Sequence, residues 1–112
     1  MILKTHNEGG VVIAEILINE ANLSHADALK IELAGIVDKY PGKILVDFAA
    51  VEYVDSSFLG AMVSSLKYAV ANNADIVIVG LAKDIHNLFS LIRLDKVFKI
   101  YADKSASLAD IK

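Results

Sequence analysis

Cysteine is absent from the 112 residues, and disulfides, thiolate zinc sites and thiol nucleophiles are excluded with it. Tryptophan is missing too, and proline occurs once, at Pro41. So few chain breakers, with 55% hydrophobic and 22% charged residues, argue against disorder. The mean hydropathy of +0.51 fits a well-buried α/β core, and the length suits one domain over residues 1–112. Basic residues are the minority, 11 against 14 acidic ones, and no Lys/Arg block is dense enough to displace counterions from phosphates. Nucleic acid is therefore not an expected partner. The longest uncharged run, Ser56 to Leu66, falls far short of the ~20 residues a spanning helix requires. The start, MILKTHNEGG, lacks the basic flank and apolar stretch of an export signal, so the expected location is the cytoplasm, without membrane insertion.

What is present is a regular alternation of apolar segments. Residues 2–6 and 10–18 read as strands, with turn chemistry in Asn7-Glu8-Gly9-Gly10 between them, which predicts an antiparallel hairpin. From Ser24 the spacing becomes helical through Ala28/Leu29, Leu33, Ile36/Val37 and Tyr40; Ser24 and Asp27 form a capping-box pattern, and Pro41-Gly42 ends the run. Residues 43–49 make a short branched run expected of a central strand. A second helix is expected from about Ser56 to the Asn72-Asn73 stop, with Leu59, Met62/Val63, Leu66 and Ala69/Val70 on its apolar stripe. Residues 75–81 and 97–102 read as strands, residues 83–94 as a helix with Ile85, Leu88/Phe89 and Ile92 inward, and residues 104–111 as a terminal helix. The order β-β-α-β-α-β-α-β-α predicts a single α/β domain with a mixed, mostly parallel sheet of about five strands and about four helices.

Several chemistries are missing from this frame. His6, His25 and His86 lie on separate elements with no Cys and no His-x-x-x-His or His-Glu motif, so no metal site is expected. Gly35 and Gly42-Lys43 have the wrong spacing for a phosphate loop, and Ile44 stands where the metal-binding hydroxyl should be. No serine sits in a Gly-x-Ser-x-Gly elbow. A phospho-aspartate receiver would need an acidic pair after its first strand, whereas the strand ends here carry lone glutamates and Asp47 lies inside its strand. No catalytic residue and no cofactor are therefore expected.

Three small polar residues, Asp55-Ser56-Ser57, interrupt the apolar pattern at the carboxyl side of a central strand, the edge where open α/β sheets place their sites. An N-cap by Asp55 or Ser56 would explain one of them, worth ~1 kcal/mol. The stretch ILVDFAAVEYVDSSFLGAMVSSLKYA resembles the signature of STAS domains, above all bacterial anti-sigma factor antagonists. The matching residues are Val46-Asp47-Phe48, Val51, Tyr53, Val54, Asp55, Ser56, Ser57, Leu59 and Gly60, and HNLFSLIRLDKVFKIY resembles that family's third helix and last strand.

The resemblance implies a non-enzymatic binding module switched by phosphorylation. Ser56 would be the phosphate acceptor of a partner kinase that is itself the anti-sigma factor, and a serine phosphatase would reverse the reaction. Unphosphorylated, the protein would sequester that kinase and free a sigma factor. Asp55 and Ser57 would shape the docking surface, while Leu59 and Gly60 would seat the helix. Two departures touch the partner-binding set. Phe58 stands where most members have Gly, either as a core anchor or as a contact, and Ala21-Asn22-Leu23-Ser24 replaces a Gly-x-Leu-Asp segment, which leaves Leu23 and Ser24 on the expected recognition face. Two other readings stay open: a constitutive STAS adaptor subunit of a lipid-transport or stress-sensing complex, and an α/β enzyme or nucleotide-binding domain using the same edge.

Overall fold

The structure, a computed structural model, describes residues 1–111. Its elements are β1 (Leu3–Glu8), β2 (Val11–Ile16), β3 (Glu20–Ala21), α1 (Leu23–Lys39), β4 (Lys43–Asp47), β5 (Tyr53–Val54), α2 (Ser56–Ala71), β6 (Asp75–Val79), α3 (Lys83–Leu91), a 3-10 turn (Leu94–Lys96), β7 (Lys99–Tyr101) and α4 (Lys104–Ile111). The main sheet runs β1-β2-β4-β6-β7. Only the β1–β2 pair is antiparallel, and the other pairs are parallel, as the alternation of strands and helices requires.

Side chains alternate along the strands between two unequal cores. Val12, Ala14, Ile16, Ile44, Val46, Phe48, Ile76 and Ile78 meet the buried stripes of α1, α2 and α3. The alternate residues Val11, Ile13, Leu45 and Val79 form a smaller cluster with Tyr101 and with Leu108 of α4. Helix α1 lies against α2, and the Tyr68 hydroxyl donates to Asp38 Oδ1 at 2.6 Å across that seam. The neighbouring carboxylate holds the Tyr68 phenol above its ordinary pKa.

The expected architecture is present, and the differences in detail have local causes. Gly9 and Gly10, both with positive φ, suffice for the hairpin turn, so Asn7 and Glu8 belong to β1 instead of the turn. Strand β2 stops at Ile16 because the chain then leaves the sheet for β3. Ser24 does not cap α1. Asn22 does, its side chain accepting the Ser24 N–H at 3.1 Å and the Ser24 hydroxyl at 2.6 Å. Helix α3 ends at Leu91, since the following chain turns through Arg93 at φ 65, and Ile92 is exposed instead of inward. Tyr40 and Val70 also lie outside the core, at helix ends where the stripe rotates out.

Candidate functional site

Two strands of two residues each build the corner that holds Asp55-Ser56-Ser57. Glu20 pairs with Tyr53 and Ala21 with Val54, in parallel register and apart from the main sheet. The Glu52 and Tyr53 N–H groups both donate to the Asn19 carbonyl, at 2.8 and 3.2 Å, and the Asp55 N–H donates to the Ala21 carbonyl at 3.1 Å. This ladder brings the starts of α1 and α2 side by side.

Asp55 then ties them. Its Oδ1 accepts the Phe58 N–H at 3.0 Å, capping α2, and its Oδ2 accepts the Leu23 N–H at 2.9 Å, the first residue of α1. A single carboxylate thus satisfies orphan donors of two helices, which also suits the positive end of each helix dipole. Its role in the fold is that of a clasp.

Ser56 is the first residue of α2 and is exposed, and Ser57 is half-buried. Neither hydroxyl has a hydrogen-bond partner among the described residues, and the Ser56 and Ser57 N–H groups belong to the first helical turn, which leaves them free of intrahelical bonds. Phe58, one position on, points the other way. It is 0% exposed and packs edge-on against Phe48, with ring centroids 6.5 Å apart, and Phe48 packs edge-on against Phe89 at 6.2 Å. Phe58 is therefore a core anchor beneath the corner and is removed from the partner-contact set, because it has no surface to offer. Gly60 does not seat the helix either: it is exposed, and a Cβ there would meet nothing within 4 Å. Leu59 is buried as expected.

The remaining expected residues come together at the surface. Leu23 is 70% exposed beside Asp55, and Ser24 is exposed with its hydroxyl committed to Asn22. Sequence reasoning missed Tyr53, which is 54% exposed on β5, together with Glu20 and Glu52 next to it. No local pattern marked Tyr53, because β5 is only two residues long and carries no period. Leu23, Tyr53 and Ser56 are all exposed at the corner. A groove of about 700 Å³ lies at β7, bounded by His86, Val97, Lys99, Tyr101 and Asp110, and shares no residue with it.

The fold of this open α/β sheet is shared with known proteins. The family model described as Mlab, STAS domain matches residues 17–101, and the chain belongs to the STAS family. Among solved structures, it is similar to a candidate anti-sigma factor antagonist from Thermotoga maritima at 27% identity, with 97% of this chain and 93% of that one covered and a TM-score of 0.85. An anti-sigma-factor antagonist (STAS) domain protein from Planctomyces limnophilus shares the fold at 16% identity, 97% coverage of both chains and a TM-score of 0.86. The Bacillus cell fate determinant SpoIIAA, in its phosphorylated form, shares it at 11% identity, with 98% and 99% covered and a TM-score of 0.72. Among the described residues, no helix is long and apolar enough to cross a membrane.

Proposed function

We propose that this STAS protein is an anti-sigma factor antagonist: a cytoplasmic, non-catalytic module that sequesters an anti-sigma serine kinase and is released from it by phosphorylation of Ser56. One observation carries the reading. The Ser56 hydroxyl stands exposed and unpartnered on the first turn of α2, while the adjacent carboxylate is locked in place by two backbone N–H groups.

A kinase can reach that hydroxyl without unfolding anything. The phosphate adds about 1.5 to 2 negative charges, and the free N–H groups and dipole of the helix start favour an anion by about 0.3 to 1 kcal/mol at an exposed position. The fold tolerates the modification. The partner does not, because a surface fitted to a neutral hydroxyl must accept a bulky dianion beside Asp55. The switch works by exclusion, and a serine phosphatase resets it. The antagonists among the similar structures, and SpoIIAA in a phosphorylated form, support this assignment.

The direct experiment is intact-mass measurement after incubation with ATP and each histidine-kinase-like serine kinase encoded near the gene. The parent gains one phosphate and Ser56→Ala gains none; equal labelling of both would refute the site.

A second reading has its own observation. Asp55 is fully used as a clasp, so part of the triplet needs no kinase to explain it. In that case the chain is a constitutive STAS adaptor of a lipid-transport or stress-sensing complex, and Ser56→Asp would bind its partner as the parent does.

A further inference from the structure

Within the corner that carries Ser56, we propose that Tyr53 and Leu23 are the apolar anchors of the docking surface, and that its partner presents apolar pockets ringed by Lys and Arg; this rests on the reading of Ser56 given above. The backbone bonds place the two residues on either side of Asp55. Leu23 donates its N–H to that carboxylate, and Tyr53 lies on β5, two residues before it. Both are large and apolar, and both are well exposed although the rest of the corner is tightly hydrogen-bonded. Holding Leu23 and Tyr53 open to water sacrifices burial that the fold could otherwise gain. Aromatic anchors on a rigid surface are the usual centres of binding energy.

The chemistry of the partner follows from the rim. Glu20 pairs across from Tyr53, Glu52 precedes it, Asp27 stands one turn after Leu23 on α1, and Asp55 lies between. The ion pairs among the described residues are His6–Glu8, Lys43–Asp75 and Lys104–Glu8, none of which involves this rim. Glu52 accepts only from the neutral Asn19 amide, at 3.0 Å. Along the two helices, the first lysines come at Lys30 and Lys67, about two and three turns beyond Leu23 and Ser56. Four carboxylates without a cation therefore surround two apolar anchors. A cationic ring on the partner supplies the missing charge and steers the encounter. A phosphate on Ser56 would act against this attraction through its bulk and its desolvation cost, which hold Tyr53 and Leu23 out of their pockets.

The test is calorimetric titration of the kinase that labels Ser56 with the parent, Tyr53→Ala, Leu23→Ala, the double variant Glu20→Gln/Glu52→Gln, and Ser56→Asp, at about 50 and about 200 mM NaCl. Each alanine variant is expected to bind at least about tenfold more weakly. Parent affinity should fall several-fold as salt rises, and the double variant should lose less over the same interval. Parent binding that ignores salt, or alanine variants that bind like the parent, would overturn the proposal while loss of binding by Ser56→Asp kept the Ser56 reading standing. Ser56→Asp binding as tightly as the parent would instead remove that reading and this proposal together. The salt series on the parent needs no variant, so a misfolded substitution does not spoil the test.

Discussion

At the amino end of the parallel strands, Lys43 meets Asp75 at 3.0 Å and Lys104 meets Glu8 at 3.0 Å, with His6 on the same glutamate. At the carboxyl end, Glu20 and Glu52 have no such cation, and Asp55 spends its charge on two backbone N–H groups. The same residue types thus serve different ends. Paired charges knit chain segments together, as Lys104 joins α4 to β1, whereas the unpaired ones belong to the docking surface proposed above.

Substitutions can break or sharpen that contrast. The largest effect is expected beneath the carboxyl-end corner, where Phe58→Ala would cost about 3 to 5 kcal/mol in chemical denaturation by opening a cavity against Phe48. Asp55→Ala comes next, at about 2 kcal/mol in the same assay, since two helix starts lose an acceptor at once. That loss would mark Asp55 as the structural acid of an otherwise functional rim. At the amino end the effect is smaller and pH-dependent. The Lys104 hydrogen bond first, and His6 second, hold the Glu8 carboxyl below its ordinary pKa. Its contribution is therefore present above the ordinary glutamate range and is lost as pH falls through the lowered value. Lys104→Met should flatten that acid-side slope in thermal melts followed from pH 7 to 3, and being an exposed pair it should change little at neutral pH. The smallest effect belongs to Glu20→Gln and Glu52→Gln, each expected within about 0.5 kcal/mol of the parent in stability. A large loss at either would show that the carboxyl-end charges hold the fold after all.

Much of this was legible before any coordinates. The two-residue and helical periodicities located the main elements, and a cap by Asp55 or Ser56 followed from small polar residues in front of an apolar helical run; the geometry selects Asp55. The pair β3–β5 was not legible, because two residues carry no period and their pairing is settled by the chain's path between layers. For the same reason the second bond of Asp55, to a residue 32 positions earlier, could not be read from local pattern. Ser24 and Asn22 are both good caps, and only the geometry of the chain entering from β3 selects Asn22. Phe58 was ambiguous between anchor and contact, since a helix start is where a side chain can turn either way; the ring of Phe48 below decides it. Tyr53 was passed over although it stood within the matched signature, because its exposure depends on the short ladder that sequence did not reveal.

The central claim is that phosphate on Ser56 excludes the partner without disturbing the fold. The most direct measurement is calorimetric titration of the labelling kinase with the parent and with the fully phosphorylated protein, compared side by side. The expected result is a loss of affinity of at least about a hundredfold, about 2.7 kcal/mol, from the bulk and desolvation of the dianion at the docked surface. Equal affinity of the two forms would contradict it.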